Sequence, residues 1–203
     1  MPTTPHLDPR IRRTRQLLMQ ALTELLAEKS FDELSIHDIA ERATLSRATF
    51  YDHFPDKFAL LEFMIGESFH ELLHTRLEGS KGTCIEGLRC IILTVCTYLK
   101  QLGAHCRKQQ RQFEPMVESK IKDQIREILL SSLASHSDRS TTPELAATVA
   151  SWAIYGTALE WSRTKAQSAE EFADAVLPLI TASLELAVGK EAKKRGQVCS
   201  PRR

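Results

Sequence analysis

The chain has 203 residues, with 27 Lys+Arg against 26 Asp+Glu and a formal net charge of +1. That balance excludes a uniformly basic nucleic-acid coat and an acidic solvating tail, but leaves room for a local basic site. With 42% hydrophobic residues and only 8 Gly and 8 Pro, it reads as one globular chain of long helices and few turns.

In chain order, MPTTPHLDPRIRR carries no apolar run of the kind a secretion signal needs. Asp8-Pro9 then supplies a side-chain N-cap and a proline at the first helical position. Ile11, Leu18, Leu22, Leu25 and Leu26 recur on one face of the helix that follows. Arg10, Arg12, Arg13 and Arg15 crowd its first turns, where the positive end of the dipole disfavours them unless an anion lies nearby. After a loop at 30–34, Ser35-x-x-Asp38 has the form of a capping box with Asp in place of Glu. It opens a short helix with Ile36, Ile39, Ala40 and Ala43 inward. Thr44-Leu45 allows only a turn. Ser46 caps a second short helix, Arg47 to His53, with Phe50 and Phe54 spaced i,i+4; Pro55 stops it and Asp56 caps the next.

Longer helices are expected over 57–78 and 83–103. The polar, basic stretch Lys100–Gln112 follows, with a break at Pro115 and a helix over 117–136. A Ser/Thr/Asp-rich loop at 137–142 leads to two last helices, 143–165 and 169–188, with Pro178 expected to kink the second. The longest uncharged stretch, 145–159, is shorter than the roughly 20 apolar residues of a membrane span. Five cysteines (Cys84, Cys90, Cys96, Cys106, Cys199) without CxxC spacing suggest reduced thiols in a cytoplasmic protein. Cys106, between His105 and Arg107-Lys108, is the plausible redox thiol; Cys84, Cys90 and Cys96 read as buried small hydrophobes. The fold class is all-α, about nine helices, with a compositional seam near residue 57.

Two short helices joined by a minimal turn behind a supporting helix form a helix-turn-helix, whose second helix enters the DNA major groove. Phe50 and Phe54 give that helix an apolar back; Ser46, Arg47, Thr49, Tyr51 and His53 give it a polar front. The run SIHDIAERATLSRATFYDHFPDKFALLEFMI resembles the DNA-binding region of the tetracycline-repressor (TetR) family of bacterial regulators. The resemblance is carried by Thr49-Phe50-Tyr51, His53-Phe54 and Lys57, and is specific over roughly residues 10–65. It implies that Ser35 contacts a phosphate and that His37 reaches a base edge or phosphate. In the same way it implies that Arg47 reads guanine, that Thr49 touches a thymine methyl or phosphate, and that Tyr51, His53 and Lys57 hold the backbone. Asp52, a carboxylate that DNA would repel, should face away or pair with Arg47 or Lys57.

The resemblance further implies a DNA-binding domain over 8–56, an effector-binding and dimerisation domain over 57–189, and a basic tail over 190–203. The expected function is a homodimeric repressor, not an enzyme, released from a pseudo-palindromic double-stranded operator by a small-molecule effector. Its last two helices would form the dimer bundle. Ala146, Ala147, Ala150, Ala153, Gly156, Thr157 and Ala158 would let backbones approach there, with Phe172, Val176, Leu179, Leu184 and Val188 as bulk. Phe113, Met116, Trp152, Tyr155 and Trp161 are candidates for lining the effector pocket, or ordinary core. No cofactor, membrane partner or catalytic residue is expected.

One motif stands outside this reading. His70-Glu71-Leu72-Leu73-His74 is HExxH, the zinc-protease signature. Leu77 stands where the extended motif needs Gly, and 94–104 holds neither a carboxylate nor a His to complete a site. An exposed helix face is the plainer reading, and a two-histidine regulatory metal site is the alternative.

Overall fold

A computed structural model describes residues 8–79, 84–105, 110–133, 143–164 and 167–188. Among these all regular structure is helical: α1 (Pro9–Glu28), a 3-10 turn (Phe31–Glu33), α2 (Ile36–Arg42), α3 (Arg47–His53), α4 (Lys57–Gly79), α5 (Cys84–His105), α6 (Gln110–Leu133), α7 (Pro143–Thr164) and α8 (Ala169–Val188). None of these helices is long and apolar enough to cross a membrane. Cys106 with Arg107 and Lys108, the 137–142 loop and the 190–203 tail lie outside the described residues.

The chain divides into two compact units, Met1–Glu67 and Ser68–Arg203. The division falls inside α4 because the first turns of that helix pack into the N-terminal unit. Phe63 lies 5.4 Å from Phe54, and the Thr23 hydroxyl oxygen lies 3.4 Å from the Met64 sulfur.

The caps form as the residues dictate. Asp8 accepts from the Arg10 N–H at 2.9 Å, Ser46 from the Thr49 N–H at 3.0 Å and Asp56 from the Ala59 N–H at 2.8 Å. Each satisfies a helix-end donor that would otherwise be orphaned. Ser35 and Asp38 close the expected capping box, with the Ser35 N–H and hydroxyl both donating to the Asp38 carboxylate at 2.9 and 2.8 Å. A second box, Ser30 with Glu33, tightens the expected loop into the 3-10 turn. Leu18, Ala21, Leu22 and Leu25 are the buried face of α1, whereas Ile11 is 37% exposed. Arg42 clasps α2 to α1, donating to both oxygens of Glu28 at 3.0 and 2.9 Å and to Glu24 at 3.4 Å.

These contacts are expected to make the N-terminal unit less stable in acid. The Arg42 guanidinium holds the Glu28 carboxyl below its ordinary value; the Ser30 hydroxyl and N–H do the same for Glu33, as the Ser35 N–H and hydroxyl do for Asp38. A carboxyl whose pKa is lower folded than unfolded stabilises fully above the unfolded value and loses that contribution as pH falls through the folded one. The thermal midpoint is therefore expected to be flat near neutrality and to drop below about pH 4.5, with Asp38→Asn showing a shallower drop. Melting curves between pH 7 and pH 3 check this; an acid limb identical in Asp38→Asn and wild type would contradict the assignment.

In the second unit α7 packs against α5, α6 and α8. Its buried side is Ala146, Ala147, Ala150, Ser151, Ile154, Tyr155 and Ala158. Ile92 and Val95 of α5, Ile121 and Ile125 of α6, and Ala173 of α8 are fully buried in the same unit. Of the small residues expected at a dimer bundle, Ala146, Ala147, Ala150 and Ala158 are thus buried within the chain, as are Phe172 and Val176, whereas Ala153 is half-buried and Gly156 and Thr157 stay exposed. The second half of α4 packs on α5, where Phe69 meets Tyr98 edge-on at 5.3 Å and Ser68 bonds the Tyr98 hydroxyl at 2.8 Å.

One proline expectation changes. Pro115 does not break the chain: α6 starts at Gln110 and passes through it. A helix's first turn has no internal N–H bonds to lose, so a proline just after it removes only one. Pro178 lies inside α8, where the sequence places it.

Candidate nucleic-acid interface

The recognition surface is set by the turn between α2 and α3. Thr44 adopts φ 55, a left-handed conformation uncommon for a β-branched residue. Backbone bonds from Thr44 N–H to the Glu41 carbonyl and from Leu45 N–H to the Ala40 carbonyl, both 2.9 Å, hold it there. The turn leaves α3 seated on Phe50, which is fully buried, and on Phe54. Arg47, Ala48, Tyr51 and Asp52 face outward, with Tyr51 49% exposed, while Thr49 and His53 are half-buried at the flanks. Ala48 is the residue the sequence reading passed over: a methyl on the outer face lets a groove approach closely and can meet a thymine methyl. Asp52 pairs with neither Arg47 nor Lys57 among the described residues.

The remaining expected contacts divide. His37 is exposed on α2, with Nε2 3.9 Å from Glu41. Ser35 and Ser46 sit at the helix N-termini, but the Ser35 hydroxyl proton is given to Asp38 and the Ser46 hydroxyl lies 2.9 Å from that of Thr49. Arg10, Arg12 and Arg13 are exposed. Arg15 is not part of that charge cluster. Its guanidinium lies 5.6 Å over Phe54 and 5.0 Å over Phe63, with a buried Nε lacking a partner.

Lys57 departs furthest from its expected role. Its Nζ donates to the carbonyls of Phe31, Leu34 and Asp32 at 2.9, 2.8 and 3.3 Å, and lies 4.7 Å over the Phe31 ring. An ammonium has three protons, so these carbonyls occupy all of them.

Residues 18–64 match the sequence model of bacterial regulatory proteins of the tetR family. The N-terminal unit is a tetR-family helix-turn-helix. An HTH-type transcriptional regulator of Bacillus subtilis, YxbF, itself uncharacterised, is 41% identical over 68 residues, 33% of this chain and 18% of that protein. The curated relatives are thus matched over a third of their length or less. A tetR-family regulator from Streptomyces coelicolor superposes with a TM-score of 0.57 at 20% identity, covering 90% of this chain and 85% of that one. The transcriptional regulator FadR from Bacillus subtilis, solved with stearoyl-CoA, gives 0.52 at 18% identity over 83% and 98% of the two chains. At these identities the structures establish a shared fold. Within the tetR-type domain the matched segment spans α3 and its buried aromatics and stops short of Arg10–Arg15.

In the second unit the five expected pocket residues do not share one space. A recess of about 380 Å³ lies between α6 and α7, lined by Pro115, Glu118, Lys122, Arg126, Thr148 and Trp152 among others. Trp152 is 57% exposed there, with the Lys122 ammonium 3.0 Å over its ring. Phe113 and Tyr155 are core residues; Met116 is half-buried. Trp161 packs on Phe172 at 5.7 Å and donates to the Gln167 carbonyl at 3.0 Å. The Tyr155 hydroxyl is buried without a hydrogen-bond partner, and burial raises its pKa. Cys96 is buried, which pushes its thiol up to about 12 and makes it inert as a nucleophile; Cys90 is half-buried.

Proposed function

We propose that the chain is a transcriptional regulator, without catalytic activity, acting in the cytoplasm as a homodimeric repressor on a pseudo-palindromic double-stranded operator. The outer face of α3 carries the reading: Arg47, Ala48 and Tyr51 exposed over a buried Phe50, in a tetR-type domain. Arg47 would read a base edge, Ala48 and Thr49 a thymine methyl, and Tyr51, His53, Ser46, Ser35 and His37 the sugar-phosphate backbone. Lys57 would act behind them, fixing the loop that leads into α2.

Dimerisation is supported by apolar residues left in water. Leu145, Val149 and Trp152 are 56%, 48% and 57% exposed along one face of α7, and Leu179 of α8 is 71% exposed beside Ala175, Pro178 and Ala182. Such stripes mark a protein interface more often than a solvated face. Two heads on a dimer would sit about 34–36 Å apart, one turn of DNA. Control by a small molecule is supported by the orphaned Tyr155 hydroxyl, since a buried polar group without a partner costs about 1–3 kcal/mol until something satisfies it. The fold-sharing FadR was solved with stearoyl-CoA, which makes an apolar effector with a polar end a sensible first class to screen.

The test is selection of bound sites from genomic DNA, followed by Arg47→Ala and Tyr51→Phe on the selected operator. Arg47→Ala is expected to relax preference at one base pair per half-site by about 1–3 kcal/mol. Tyr51→Phe should weaken all sequences alike. Full affinity and unchanged preference in both variants would remove α3 from the interface.

A further inference from the structure

The HExxH run lies on α4, a 23-residue helix, and both imidazoles project from its exposed side. Residues four apart stand one turn above each other on a helix. The His70 and His74 rings accordingly lie with centroids 5.9 Å apart and planes inclined by 34°. Two imidazoles sharing one ion through metal–nitrogen bonds of about 2 Å bring their centroids to about 5 Å, within a small side-chain adjustment of this separation. A second observation bears on which nitrogen is free. His74 Nδ1 lies 3.5 Å from the Glu78 carboxylate, which is one further turn along the helix. A carboxylate near Nδ1 favours the proton on that nitrogen and so Nε2 as the metal-binding one, the arrangement of carboxylate–histidine pairs at metal centres. The side chains of His74 and Glu78 are 61% and 72% exposed, so an ion reaches them from solvent without moving the core.

We propose that His70 and His74 form a divalent transition-metal site, with Glu78 as the positioning residue for His74. Among the described residues no group of three His, Cys, Asp or Glu converges on one point, so the protein supplies two nitrogen ligands and water completes the shell. Such a site is open and of modest affinity. Two imidazoles without carboxylate or thiolate favour the late first-row ions, in the order copper over nickel over cobalt, and disfavour magnesium and calcium. The role is that of a clip: an ion bound across one turn stabilises the helical conformation of α4 at residues 70–74, because an unfolded chain does not hold the two rings together. Glu71 has no part in holding the ion. The proposal stands apart from the DNA-binding reading, which uses none of these residues.

Titration of the full chain with nickel chloride in a non-chelating buffer, followed by calorimetry and by the thermal midpoint, tests it. One saturable equivalent per chain and a rise in midpoint on binding are expected. The double variant His70→Asn/His74→Asn should lose that equivalent and the rise, while its metal-free melting curve stays that of wild type, since both rings are exposed. Glu78→Gln should weaken binding about tenfold and Glu71→Gln should leave it unchanged. Absence of a saturable equivalent in the wild type, or its retention in the double variant, overturns the site. Unchanged affinity in Glu78→Gln overturns the positioning role.

Discussion

Phe50→Ala is expected to unfold most of the N-terminal unit and abolish operator binding without touching any group that faces DNA. The ring is fully buried, meets Phe54 at a centroid distance of 6.1 Å and Tyr51 edge-on at 5.8 Å, and anchors the back of a seven-residue helix. A helix that short has no stability of its own and exists only through tertiary packing. Truncating a buried aromatic costs about 3–5 kcal/mol, the lost transfer energy plus a cavity the surroundings fill only in part. A unit of this size has a total stability of about 3–10 kcal/mol, so the loss consumes from about a third of it to all of it. Phe50→Leu, which refills most of the cavity, should cost about 1–2 kcal/mol and retain binding. Urea unfolding of the two variants beside Arg47→Ala separates the effects: Phe50→Ala loses stability, Arg47→Ala loses only recognition. A Phe50→Ala protein with wild-type stability would mean that α3 is held by something other than its aromatic back.

The difference between those two variants also marks what the sequence could express. Features governed by neighbours a few residues apart were legible: the Asp8, Ser35, Ser46 and Asp56 caps, the limits of α3, and the i,i+4 pair of Phe50 and Phe54. Each depends on local geometry that a residue string encodes directly. Features that depend on what a helix meets in space were not. Arg15 resembles its neighbours Arg10, Arg12 and Arg13 in sequence, yet it alone stacks on Phe54 and Phe63, because only its position on α1 faces α4. Ala146, Ala147, Ala150 and Ala158 of α7 read as a surface for a partner helix and are buried within the chain, whereas Gly156 and Thr157 stay exposed on the same helix as Leu145, Val149 and Trp152. A helix that is apolar nearly all round gives no periodic signal to say which stripe goes to which neighbour.

Lys57→Ala decides between a side chain that grips DNA and one that builds the domain. Three carbonyls from 31–34 converge on its ammonium, at 2.8 to 3.3 Å, across a gap that neither helix nor turn closes by itself. That loop delivers the chain from α1 into α2, so whatever holds it also sets where α2 starts. Removing the ammonium leaves partly buried carbonyls short of a charged donor, at a cost of about 1.5–3 kcal/mol, and a lower thermal midpoint is the expected result. Lys57→Arg should not rescue it, because a planar fork cannot point three protons at carbonyls gathered around one centre. DNA binding supplies the discriminating measurement. Loss of a phosphate contact lowers the slope of log affinity against log salt by about 0.9, whereas loss of an internal brace leaves the slope intact and lowers affinity only as the folded fraction falls. The expected outcome for Lys57→Ala is an unchanged slope with reduced stability. A flattened slope with wild-type melting would instead mean that the ammonium leaves its carbonyls for the backbone when DNA arrives.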